Sequence, residues 1–196
     1  MARAFDQAGG KSMIISVFGS ASPTPESQLY QEALLLGKLV AKNGHTVMTG
    51  GYCGTMEAVS KGAVEAGGHS IGVTCRQIEE YRPLGPNSWV REVIHTDTLT
   101  ERIEVLTSQA DAFMALPGGI GTLAEISMVF NKMVIAAIPS DTLILIGDGW
   151  KQTFEAFLKG QSANINSKTQ QIPQFAANPQ EALALLNNKH QENNNG

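Results

Sequence analysis

One stretch constrains the fold of this chain more than any other: Leu116-Pro117-Gly118-Gly119-Ile120-Gly121-Thr122-Leu123-Ala124-Glu125. A short apolar run, residues 112–116, leads into it, and a longer one begins at Ile126. Strand, glycine turn and helix follow in that order, the repeating unit of parallel sheets. Three glycines within four residues permit positive φ and let the backbone approach a ligand closely, because no Cβ intervenes. The helix opens with free N–H groups and the positive end of its dipole, which suits a phosphate. Glu125 is expected in the first helical turn, beside whatever is bound there.

The same unit recurs along the chain. Residues 13–18 are an apolar run of the kind buried on both faces of a parallel sheet, closed by Gly19-Ser20. A helical pattern covers 26–42, where Leu29, Ala33, Leu36 and Val40 keep helical spacing and Asn43-Gly44 supplies the stop. Further strands are expected at 45–49, 70–74, 90–95, 142–146 and 172–175. Helices are expected at 56–66, 97–110, 123–137, 150–159 and 179–188. Residues 76–88 are polar, contain two prolines and read as an irregular loop long enough to lie over a site. The alternation implies an α/β fold with a mostly parallel sheet covered on both faces. One domain over 12–188 is expected, with 1–11 a flexible N-terminal extension and 189–196 a disordered, Asn-rich tail.

Composition narrows the function. With 196 residues, 42% of them hydrophobic, one domain can bury a sizeable core. A net charge of −4 and the absence of any Lys/Arg run argue against a nucleic-acid surface. Cys53 and Cys75 suggest no disulfide framework and fit a reducing compartment. No secretory leader pattern and no apolar run of membrane-spanning length is found. A soluble cytoplasmic protein with no membrane partner is the expectation.

Ligands of such folds sit beyond the carboxyl ends of the strands. Three loops gather there: Gly19-Ser20, the segment from Gly50, Gly51 and Gly54 to Thr55 and Met56, and Gly118, Gly119, Gly121 and Thr122. Arg102, near the start of its helix, can reach the same rim, hold a phosphate bidentately and keep Glu125 ionised. Alternatives stand beside each reading. Thr122-x-x-Glu125 also fits a helix capping box. Arg102 could instead pair on the surface with Glu101 or Asp97. Gly119-x-Gly121-x-x-Ala124, with Asp148 as ribose acid, matches a dinucleotide fingerprint, although it falls at the fifth strand rather than the first. The four histidines show no metal-ligand spacing, and no base is evident to activate Cys53. Met128 and Met133 read as core or subunit contacts.

Pro117-Gly118-Gly119-x-Gly121-Thr122-x-x-Glu125 resembles the signature of the LOG ("Lonely Guy") family, the cytokinin riboside 5′-monophosphate phosphoribohydrolases. Phe18-Gly19-Ser20 resembles that family's first loop and Gly50-Gly51-x-x-Gly54-x-Met56-x-Ala58-Val59 its second; the resemblance extends from Val17 to about Ile146. It implies a Rossmann-like three-layer α/β/α fold, a homodimer or higher homo-oligomer, and neither cofactor nor metal. The implied reaction is hydrolysis of a nucleoside 5′-monophosphate, a cytokinin riboside monophosphate or AMP-like, to free base and ribose 5-phosphate. Arg102 and Glu125 fall on the family's catalytic pair. Gly118, Gly119, Gly121 and Thr122 would hold phosphate and ribose, and Gly19, Ser20, Gly50, Gly51, Gly54, Thr55 and Met56 the rest of the nucleotide. The family's His-Glu-Arg-Lys reads Thr100-Glu101-Arg102-Ile103 here, and Lys132 and Val134 stand where members often carry Trp and Gln. The alternative function is a non-catalytic nucleotide or molybdenum-cofactor carrier on the same scaffold.

Overall fold

The central strands carry apolar side chains toward both faces, so the middle of the sheet is buried on both sides. The structure, a computed structural model, describes residues 12–194, with the side chains of 12–189. β1 (Ile14–Phe18), β2 (Thr46–Thr49), β3 (Ser70–Cys75), β4 (Glu92–Thr96), β5 (Ala112–Ala115), β6 (Leu143–Ile146) and β7 (Pro173–Ala176) form one sheet in the order β4-β3-β2-β1-β5-β6-β7. All six pairings are parallel. The helices are α1 (Gln28–Lys42), α2 (Thr55–Glu65), α3 (Arg76–Tyr81), α4 (Leu99–Ser108), α5 (Ile120–Val134), α6 (Asp148–Gly160), α7 (Ser167–Gln170) and α8 (Pro179–Asn194).

Because side chains alternate along a strand, neighbours serve different layers. Ala112 and Met114 of β5 join Ile15, Val17, Ile144 and Ile146 under α1, α2 and α8. Phe113 and Ala115 join Phe18, Leu143 and Leu145 under α4, α5 and α6, where Leu106, Ile126, Phe130, Trp150 and Phe154 close the second core. This is the three-layer α/β/α arrangement.

On the first face α1 and α2 cross in backbone contact. A Cβ on Gly37 would overlap Val59 O, and one on Gly62 would overlap Leu34 O.

Strand order reverses between β1 and β5, which places a cleft at their carboxyl ends. The loops after β2, β1 and β5 lie side by side there.

Three expectations change. Residues 76–88 are not wholly irregular: Arg76–Tyr81 is helical, with Arg76 paired to both Glu80 (2.8 Å) and Asp97 (3.0 Å). The last helix does not stop at 188 but runs to Asn194, since no Gly or Pro interrupts 189–194 and Lys189 is tied to Asp141 at 3.1 Å. Part of the expected tail is therefore helical; residues 195–196, like the expected extension 1–11, lie outside the described residues. The third change concerns α5 and bears on the site.

Candidate functional site

α5 begins at Ile120, three residues earlier than its apolar pattern indicates, with Gly119 as N-cap. No side chain caps it, so the first N–H groups are left open toward the cleft. Thr122 and Glu125 both lie inside the helix, which removes the capping box expected for them and puts Glu125 in the second turn. Its side chain still leans toward the helix N-terminus, as helical side chains do. The capping box of this region is Thr98-x-x-Glu101, at the start of α4.

The motif glycines act through space rather than through φ. Gly118, Gly119 and Gly121 are not among the positive-φ residues. A Cβ on Gly119 or Gly121 would meet no protein atom within 4 Å, so their bareness leaves room in the cleft. Gly118 instead clears the Thr122 side chain. The positive φ falls in the second loop, at Gly51 (+78°) and Gly54 (+69°). There Gly51 packs against Gly72, and Gly54 against the backbone of Ser20 and Ala21.

Arg102 is not a surface residue: it is buried, and its supposed partners are engaged elsewhere, Glu101 in the cap and Asp97 with Arg76. Its Nε donates to Val73 O at 2.8 Å and its Nη2 to Gly50 O at 3.1 Å. Met56 Sδ lies 3.9 Å from Nη2, and the Tyr52 ring faces the guanidinium at 5.6 Å. A Cβ on Gly50 would overlap Nη2, so glycine there is a condition of the arrangement. The remaining nitrogen, Nη1, stands 3.5 Å from Glu125 Oε1. With two nitrogens held by carbonyls, Arg102 fixes Glu125 first and has only the Nη1 edge left for a ligand.

Glu125 is itself only 8% exposed. Burial pushes its carboxyl up to about 7, and the Arg102 charge offsets only part of that rise. The carboxyl therefore exchanges its proton near neutrality, a property found often at reacting groups.

The cleft has a volume of about 290 Å³. Of the residues expected from sequence, Gly19, Ser20, Met56, Arg102, Gly119, Gly121, Thr122 and Glu125 line it. Gly50, Gly51, Gly54, Thr55 and Gly118 do not; they shape the loops behind it. Thr55, for example, donates both its N–H (2.9 Å) and its hydroxyl (3.0 Å) to Ser20 O. Tyr52, Ile78, Arg82 and Leu84 also line the cleft and were not singled out in the sequence. An aromatic between glycines was the available signal for Tyr52; the others come from the segment expected to cover a site. Trp150 was also missed: its indole N–H donates to Leu116 O at 2.9 Å and pins the strand end before Pro117.

A larger cavity of about 570 Å³ lies between α5, α6 and α7, walled by Phe130, Val134, Phe154, Phe157 and Ile165. It has no ionisable side chain and so no group for acid–base chemistry. Among the described residues no three His, Cys, Asp or Glu side chains come together to hold a metal ion, and no helix is long and apolar enough to cross a membrane.

Known proteins share this design. A cytokinin riboside 5′-monophosphate phosphoribohydrolase of Mycobacterium tuberculosis is 38% identical over 137 residues, 69% of this chain and 71% of that protein. One from Arabidopsis thaliana is 29% identical over 175 residues, 88% of this chain and 81% of that protein. The molybdenum cofactor binding protein of Rippkaea orientalis superposes with a TM-score of 0.70 at 26% identity, covering 90% of this chain and 96% of its own. Residues 12–172, from the approach to β1 to the residue before β7, match one family description, and the chain belongs to that family, the SLOG cluster4 family.

Proposed function

We propose that this protein hydrolyses the N-glycosidic bond of a nucleoside 5′-monophosphate, releasing free base and ribose 5-phosphate. One observation carries the reading: a buried Arg102–Glu125 pair and the uncapped N-terminus of α5 line a single cleft. The open N–H groups and the helix dipole bind the 5′-phosphate, with the bare faces of Gly119 and Gly121 allowing its approach. Glu125, as carboxylate, takes a proton from water while that water adds to C1′. The C1′–N bond breaks ahead of that addition, its electron pair leaving with the base while the still-ionised carboxylate stabilises the positive charge developing on the ribose ring. The proton Glu125 then takes from the water passes through solvent to the base nitrogen. Arg102 holds the carboxylate in place and offsets the two neighbouring negative charges.

The cleft's size, near the lower end for small-molecule sites, suits a mononucleotide and not a dinucleotide. The relatives named as phosphoribohydrolases support the same chemistry. Both cysteines are free thiols, which accords with the proposed cytoplasmic location. A homodimer through α5 is part of the proposal: its exposed side, Ile120, Ala124, Ser127, Met128, Asn131 and Val134, continued by the C-cap Ile135, carries no charge.

Incubation with a panel of purine and pyrimidine nucleoside monophosphates should yield base and ribose 5-phosphate in equal amounts from at least one. The likeness to a molybdenum cofactor binding protein supports a second reading, carriage without turnover. Retention of a phosphorylated ligand, with no base released from any nucleotide at high protein concentration, would establish the carrier and refute the hydrolase.

A further inference from the structure

The aromatic ring beside Arg102 has a second attachment. Tyr52 is buried, with 4% of its surface exposed, and its ring lies 5.6 Å from the guanidinium. Its hydroxyl accepts the Cys75 N–H at 2.7 Å, at the junction of β3 and α3. The hydroxyl proton faces two acceptors, Cys75 O and Glu79 Oε1, each at 3.2 Å. Glu79 belongs to α3, and Ile78, Arg82 and Leu84, from α3 and the turn after it, form one wall of the cleft. The loop that presents Tyr52 is itself fixed: Asn87 Nδ2 donates to Gly51 O (3.0 Å) and Tyr52 O (2.8 Å).

We propose that Tyr52 is a positioning residue with two ends: its ring holds Arg102 against Glu125, and its hydroxyl ties that pair to the cleft wall through Cys75 and Glu79. The inference rests on the hydrolase reading for its kinetic consequences, but not for its geometry. A guanidinium over an aromatic face in a desolvated site is held there by the ring's quadrupole. Among the described residues no other aromatic ring faces the Arg102 guanidinium. Losing the ring frees the Nη1 edge from its alignment with Glu125. Losing only the hydroxyl leaves that alignment intact and loosens the wall segment.

Tyr52→Phe, Tyr52→Leu and Glu79→Gln separate the two ends. The first readout is nuclear magnetic resonance of the Arg102 Nε–H, which the bond to Val73 O should protect from solvent exchange. The second is base release, as kcat, KM and the pH at which the rate levels off. Tyr52→Leu should expose the Nε–H to exchange, lower kcat about tenfold and move the pH limb upward, as Glu125 loses part of its counter-charge. Tyr52→Phe should keep the protected signal and the pH limb, rescuing kcat to within about threefold while KM rises; Glu79→Gln should raise KM in the same way. A protected Nε–H and an unmoved pH limb in Tyr52→Leu would overturn the role of the ring. An unchanged KM in both Tyr52→Phe and Glu79→Gln would overturn the link to the wall. If Tyr52→Leu fails to fold, Tyr52→Met, whose unbranched and flexible side chain adapts to the ring's space, decides the same question. If the wild-type protein releases no base, the hydrolase reading fails, and the exchange of the Arg102 Nε–H still decides the placement of the guanidinium.

Discussion

At the scale of single residues, Glu125 carries two opposed demands. A carboxyl whose folded pKa is raised to about 7 contributes stability that is complete below its ordinary value near 4.5 and is lost as pH rises through 7. The proposed reaction needs the other form, the carboxylate. Activity should therefore climb about tenfold per pH unit below 7 and level above it, where the folded state is weakened. Glu125→Gln should unfold at higher temperature than wild type at pH 8, by at most roughly 3 kcal/mol of stability, and differ little at pH 4. Calorimetry across that range measures it; an equal difference at both pH values would contradict the burial account. Glu125 was legible in the sequence because a specific motif surrounds it. Its raised pKa was not, because that depends on how much water burial removes. Arg102 could be placed at the rim from its position near a helix start, with a surface pairing as the rival, but its partners Val73 O and Gly50 O lie 29 and 52 residues away in the chain, and no spacing announces them.

At the scale of elements, the site depends on where helices begin and how closely they cross. The apolar period of α5 reads from Leu123, but Ile120 and Gly121 are also helical, with Ile120 82% exposed at the rim. An exposed apolar residue and a glycine give no helical period to read, so the early start was hidden and a capping box seemed available. The close crossing of α1 and α2 was hidden too, because Gly37 and Gly62 look like helix weaknesses until the partner backbone is seen. Gly37→Ala must push the helices apart, and α2 carries Thr55 and Met56 at its start. A loss of about 2 kcal/mol or more is expected, a fall in Tm of roughly 5 °C by thermal denaturation. A rise in Tm, the usual result of Gly→Ala within a helix, would show that the crossing is looser than described.

At the scale of the whole molecule, strand–helix alternation dictated the parallel sheet, and all seven expected strands are present. Their order was not dictated. Each crossover helix has an apolar side that fits either face, so the reversal between β1 and β5, which creates the cleft, appears only in the folded chain. The uncharged side of α5 leads to a prediction at this scale: a particle of twice the 20.9 kDa chain mass by light scattering, reduced to one chain by Ile135→Lys. A wild-type monomer would contradict that assembly without touching the chemistry. The chemistry is tested most directly by comparing wild type and Glu125→Gln on whichever nucleotide of the panel is cleaved, following base and ribose 5-phosphate together. The account predicts equal yields of the two from wild type and a rate at least about 100-fold lower in the variant, with the nucleotide still bound. Base release by Glu125→Gln at the wild-type rate would contradict it.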